Sequence, residues 1–213
     1  WSVDVAYFFN KEKITQLTTP SEMSIPGNGW FVGQPLSVIY DYKMLGIWQT
    51  SDSAKGTIQQ QTSPVQYPGQ IRVEDINGDN KITAADRQII GNFQPKWEGG
   101  ITNRVSYKGF DLSILITGVY GNDIYNYIAA ANSNPNNIYL SRNLLIEGMN
   151  YAKLKTEAGK TSIINSGTFV PRITNNTIAN ENNHSKINTR FVEDGSYLRL
   201  KNVSLTYNVP VKY

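Results

Sequence analysis

Side chains able to hold a hard cation are concentrated in one run. From Asp75 to Gly91 the chain reads Asp-Ile-Asn-Gly-Asp-Asn-Lys-Ile-Thr-Ala-Ala-Asp-Arg-Gln-Ile-Ile-Gly. Asp75, Asn77 and Asp79 stand two residues apart, Lys81 takes the seventh place, Thr83 the ninth and Asp86 the twelfth. Ca²⁺ takes about six to eight oxygens, and an EF-hand loop with ligands at places 1, 3, 5, 7, 9 and 12 wraps them around it. Asp75, Asn77, Asp79, Lys81 (through its backbone carbonyl) and Asp86 are therefore the candidate metal residues, with Ile82 as the short strand contact. Asn80 stands where such loops place Gly, and it weakens the turn without forbidding it, because Asn enters left-handed backbone readily. Asp86 stands where Glu is usual and has a shorter reach. The same residues also make sense without a metal, as an Asx-type turn over Asp75–Asp79 and a Thr83/Asp86 helix cap. Their spacing favours a structural Ca²⁺, folding a loop with little core of its own.

No other stretch offers comparable chemistry. His184 is the single histidine and sits in an Asn-rich stretch, which argues against a Ser-His-Asp or His-metal site. Cysteine is absent, so disulfides, thiol catalysis and Cys-ligated metals are excluded. Neither a phosphate-cradling glycine loop nor a zinc spacing occurs. The chain reads as non-enzymatic. Trp30, Tyr40, Tyr42 and Trp48 are candidate substrate-stacking residues, and packing of a long loop against itself is the competing use of those rings. A net charge of +3 without any Lys/Arg run excludes nucleic acid as a partner.

The elements that must position these residues are strands. Mean hydropathy is −0.39, and 13 Tyr and 4 Trp among 213 residues point to amphipathic strands joined by polar loops. Trp1, Val3, Val5, Tyr7 and Phe9 alternate with Ser2, Asp4, Ala6 and Asn10, and Lys11 to Leu17 prolong this strand. A second strand alternates from Trp97 to Tyr107, Lys108-Gly109 makes a two-residue hairpin turn, and a third runs from Phe110 to Thr117. Ser196 to Val209 forms a fourth, with a change of parity that predicts a bulge near Lys201-Asn202. Between them, 18–95 and 119–195 read as long loops with short helices, one over Ala84–Ile90 and weaker ones within Ile124–Ala131 and Ile138–Leu154.

One tight turn beside very long connections is the asymmetry of outer-membrane barrels, whose turns are short on the periplasmic side and long outside. In that setting Trp1, Tyr107 and Tyr207 anchor the interface. Arg104, Asp4 and Asp111 face the lumen or form cross-strand ion pairs. The alternation alone also suits a soluble β-rich domain. No apolar run approaches the roughly 20 residues of a membrane-crossing helix.

Several stretches together resemble the SusC/RagA family of TonB-dependent outer-membrane transporters. They are Gly33-Gln-Pro-Leu, Tyr40-Asp-Tyr-Lys, Gly46-Ile-Trp-Gln, the Asp75 run with Ile90-Gly-Asn and Pro95-Lys-Trp, Ser106-Tyr-Lys-Gly-Phe-Asp-Leu-Ser, and Asp194-Gly-Ser-Tyr-Leu-Arg-Leu-Lys-Asn-Val-Ser-Leu-Thr-Tyr. The resemblance implies an all-β fold: a late fragment of an antiparallel transmembrane barrel of about 22 strands, with long extracellular loops that carry short helices and the EF-hand-like loop. It further implies import of glycans or oligopeptides across the outer membrane of a Gram-negative, Bacteroidetes-like cell. A SusD-like surface lipoprotein, TonB (through regions outside this chain) and outer-membrane lipid are the implied partners. The alternative reading is a secreted β-rich calcium-binding module for adhesion or scaffolding. A dockerin-like module of that kind carries two Ca²⁺ loops, and this sequence has one.

Overall fold

The computed structural model describes residues 1–21, 23–54, 68–79, 82–133, 142–165, 167–173 and 189–210. The fold is all-β with few helices. In chain order the first strands are β1 (Ser2–Phe8), β2 (Ser24–Ile25), β3 (Trp30–Phe31), β4 (Val38–Tyr42), β5 (Met44–Ile47), β6 (Ile71–Val73) and β7 (Arg87–Asn92). There follow β8 (Trp97–Tyr107), β9 (Phe110–Tyr120), β10 (Asp123–Tyr125), β11 (Leu154–Glu157), β12 (Lys160–Ile163), β13 (Val192–Asp194) and β14 (Tyr197–Tyr207). Two short helices, α1 (Thr50–Ala54) and α2 (Tyr127–Asn132), interrupt them. Contacts divide the chain into one unit of Trp1–Ile39, Gly91–Ile124 and Glu193–Tyr213, and another of Tyr40–Ile90 and Tyr125–Val192.

The first unit is built on a four-stranded sheet in the order β1-β8-β9-β14. Every neighbour in it is antiparallel. Period-two alternation sorts its side chains onto two faces. Val5, Ile101, Ile116 and Leu200 lie in register across all four strands on one face, as do Val105, Leu112 and Leu205 across the last three. Asp4, Thr102, Ser113 and Ser204 are on the other face. Because the parity of β14 changes partway, a one-residue irregularity is required to keep Leu198 and Leu200 beside Val203 and Leu205. The register does shift between Leu200 and Asn202, as the sequence predicts.

Lys108 (φ 47°) and Gly109 (φ 85°) join β8 to β9, both with positive φ, the requirement of a type I′ hairpin turn. Gly99 serves a different purpose. A Cβ there would stand 2.5 Å from the Ala6 carbonyl oxygen, so only glycine lets β1 approach β8.

The second unit is stitched from short ladders: β5 with β6, β11 with β12, and a core cluster of Tyr42, Ile71, Val73 and Ile82 with Met44 packed against it. Three expectations need correction. The first strand ends at Phe8 and is not prolonged over Lys11–Leu17; there Ile14 instead donates its N–H to the Gln34 carbonyl (2.9 Å) and accepts the Gly33 N–H (2.8 Å). The helix expected over Ala84–Ile90 is a single 3-10 turn, Ala84–Asp86, because Arg87 turns extended (φ −78°, ψ 143°) and starts β7. Over Ile138–Leu154 only the 3-10 segment Ile146–Asn150 forms among the described residues, and positions 138–141 lie outside them.

Candidate functional site

The Asp75 loop folds through its own side chains. Asp75 Oδ1 accepts the Gly78 N–H (2.8 Å) and Asn77 Oδ1 the Asp79 N–H (3.1 Å), while Asn77 Nδ2 donates to Asp79 Oδ2 (3.1 Å). Gly78 takes φ +71° to allow the reversal. Asp86 has no exposed surface. Its Oδ1 accepts the Ile76 N–H (3.1 Å) and its Oδ2 the Thr83 N–H (2.6 Å), and Thr83 Oγ1 accepts the Ala85 N–H (3.2 Å), completing a capping box. Ile82, the buried strand contact of the loop, belongs to the core cluster. Asx turns and cap are thus both present.

The donor set fits a hard cation in type and order. Asp75, Asn77 and Asp79 supply carboxylate and amide oxygens, the ligands Ca²⁺ prefers. Among the described residues no three carboxylates, histidines or cysteines converge into a metal-holding group. Asp86 turns inward to the backbone. Lys81 and Asn80 lie outside the described residues.

Of the four candidate stacking rings, Tyr42 (6% exposed) and Trp48 (4%) are buried. Arg87 lies over the Tyr42 ring at 5.2 Å and also faces Asp41 (3.6 Å), and Arg72 covers Trp48 at 5.1 Å. With a core on one side and a guanidinium on the other, neither ring has a face for a ligand, so both act as packing residues. Trp30 and Tyr40 are half-buried, and Trp30 borders a cavity of about 460 Å³ with Ile25 and Leu36.

The apolar face of the four-stranded sheet is exposed, Val5 at 69% and Leu205 at 68%. Rings close both of its ends. At one, Tyr7 lies 6.2 Å from Phe9 and 5.9 Å from Trp97, which stacks on Tyr120 at 6.0 Å. At the other, Phe110 and Tyr207 are 4.5 Å apart beside Tyr107. The sequence pointed to Tyr107 and Tyr207 but missed the row Tyr7, Phe9, Trp97 and Tyr120. For two of them the signal was there, since Phe9 and Trp97 each end an alternating run. On the opposite face Arg104 pairs with Asp4, so the cross-strand ion-pair reading holds for these two, whereas Asp111 accepts a hydrogen bond from the neutral Asn208 amide (2.7 Å). Trp1 donates its indole N–H to Asn103 (3.0 Å) at the exposed edge of β1.

In the second unit, burial, with smaller contributions from Tyr127 and Asp41, pushes the Tyr125 phenol up to about 12. The Gln88 amide and then Lys43 hold the Glu74 carboxyl below its usual range. Burial lowers Arg190, against the opposing charge of Glu147.

No family model matches the chain. It is 29% identical to TonB-dependent receptor P3 and 28% identical to TonB-dependent receptor P26, both of Formosa agariphila, over 100% and 99% of its own length. It spans 20% of the length of each. Its backbone is similar to solved structures of the RagAB peptide transporter (TM-score 0.63, 23% identity) and of the RagAB peptide importer in a closed-closed state (0.64, 23%). In each case 98% of this chain matches 20% of the other. The likeness to TonB-dependent receptors and to RagAB expected from the sequence therefore extends over the whole chain.

Proposed function

We propose that the chain forms adjacent strands of an outer-membrane barrel of about 22 strands and takes part in TonB-energised import. A SusD-like surface lipoprotein assists, and the cargo is oligopeptide or glycan. The observation that carries this reading is the exposed apolar sheet face bounded by aromatic rows. The eleven residues of β8 span about 34 Å at about 3.4 Å per residue. Tilted by about 40°, they cover about 26 Å, close to the ~25 Å apolar band of such barrels. Open edges on β1 and β14 then pair with further strands of the longer protein, as closure requires. The polar face with Arg104, Asp4 and Asp111 lines the lumen. The likeness to TonB-dependent receptors and to the RagAB transporter supports transport over catalysis. The likeness to the RagAB peptide transporter makes oligopeptide the first cargo to assay.

The orientation is tested in whole cells with a membrane-impermeant thiol reagent. Met149→Cys, in the long 121–196 segment, is expected to label from outside, and Lys108→Cys, in the tight turn, only after the outer membrane is permeabilised. Equal labelling of both in intact cells would favour the alternative, a secreted β-rich calcium-binding module.

A structural Ca²⁺ on Asp75, Asn77, Asp79 and the Lys81 carbonyl belongs to the same reading, whereas Asp86, expected as the twelfth-place ligand, is committed to the Ile76 and Thr83 N–H groups. The ion would supply charge neutralisation to a loop whose own residues already order it through Asx turns and a capping box.

A further inference from the structure

We infer that a lysine-lined cavity beside the upper aromatic row binds the phosphorylated headgroup of an outer-leaflet glycolipid, an inference that rests on the membrane orientation proposed above. The cavity has a volume of about 800 Å³ and lies where the chain leaves β1 and enters β8. Lys11, Lys13 and Lys96 line it with the Gln34 amide, and Glu12 is the acidic residue on its wall. Three lysines and one glutamate line it, so its lining is basic, and Lys96 also interacts with the Asp194 carboxylate.

Two features point to an amphiphile. Phe9 is one wall of the cavity and also the last ring of the row Phe9–Tyr7–Trp97–Tyr120, so the basic lining is continuous with the apolar face. Lys96 holds its ammonium 5.6 Å from the centre of the Tyr120 ring, at the level of the row itself. A long side chain with its stem on aromatic surface and its charge at the boundary suits a membrane interface. Lysine is a flexible point-charge ligand for phosphate, and the amide adds hydrogen-bond donors. In the proposed orientation this end of the sheet faces the outer leaflet, where phosphates sit directly above acyl chains. A soluble anion would satisfy the lysines but leave Phe9 unused.

The test uses the full-length protein in detergent, with bisphosphorylated lipid A and its dephosphorylated form as probes and bound lipid counted by native mass spectrometry. Lipid A is expected to bind, and removal of its phosphates to weaken binding roughly a hundredfold, since each Lys near anionic headgroups contributes on the order of fivefold. Lys11→Gln/Lys13→Gln/Lys96→Gln is expected to lose the same factor, and the corresponding triple Arg variant to retain binding. Equal binding of both lipids, or a triple Gln variant that binds like the parent, would overturn the inference while leaving the transporter reading intact. Inorganic pyrophosphate binding as tightly as lipid A would identify a soluble-anion site and overturn the lipid assignment. A full-length protein recovered outside the membrane fraction would overturn both readings.

Discussion

Asp86 Oδ1 accepts the backbone N–H of Ile76 at 3.1 Å, so a fully buried carboxylate ties the end of the Asp75 loop to its beginning. Its other oxygen holds Thr83. Asp86→Ala removes both acceptors and strands two N–H groups beside the core. With about 1.5–3 kcal/mol for each of the two hydrogen bonds to a charged group, a local loss of about 3–6 kcal/mol is expected. Faster hydrogen exchange at Ile76 and Thr83, with exchange in β8 and β9 unchanged, is the measurement that checks it.

The proposed cation sets a second expectation. Ca²⁺ should raise the protection of amides 76–79 in the parent protein, and chelation should reverse the gain. Asp75→Ala/Asp79→Ala should abolish the response while leaving the Asp86 cap in place. Identical exchange and melting with Ca²⁺ and with chelator in the parent would remove the metal from the loop and leave the Asx turns as its whole explanation.

Tyr125 gives a pH dependence whose sign follows from burial. Its phenol is pushed up to about 12 from an ordinary value of 10.0, so the folded state holds the proton more tightly than the unfolded one. The stabilisation is complete below about pH 10 and is lost as pH rises from about 10 to 12. Tyr125 packs edge-on against Tyr127 (4.6 Å) and near Phe191 (6.2 Å), so Tyr125→Phe keeps the ring contacts. In the parent, protection of amides 189–191 should fall over that window. In Tyr125→Phe that loss should disappear, and phenolate absorbance should lose its highest-pH component.

The long strands were legible because their information is local. Alternation from Trp97 to Tyr107, the Lys108-Gly109 turn and even the β14 bulge follow from period two and from backbone angles that few residues adopt. The second unit was not legible, because its ladders are short and held by distant partners. Thr189 Oγ1 accepts the Met44 N–H and Thr50 Oγ1 the Ile163 N–H, and no pattern near those residues announces either bond. At Ala84–Ile90 the helical spacing was real, but the Thr83/Asp86 box closed a single turn and strand pairing took Arg87–Asn92. Ligand order in the Asp75 loop could be read. The inward turn of Asp86 could not, since it depends on the buried N–H of Ile76. Likewise, Tyr42 and Trp48 have the residue types of a ligand platform, and only the positions of Arg87 and Arg72 make them packing residues.

The last prediction separates the two faces of the sheet. Ile101 and Thr102 are neighbours near the middle of β8, and their side chains project to opposite sides. If the apolar face meets lipid, Ile101→Arg places a charge near the centre of the hydrocarbon and should cost about 2–4 kcal/mol, the depth-dependent penalty for Arg on a barrel exterior. Thr102→Arg projects beside Asp4 on the polar face, where Arg104 is already accommodated, and should be tolerated. The readout is refolding of the full-length protein into lipid vesicles, scored by denaturant titration. A soluble sheet whose apolar face packs against protein would also reject Ile101→Arg, but it would not need the vesicles to fold. Equal penalties at both positions would sink the assignment of the two faces.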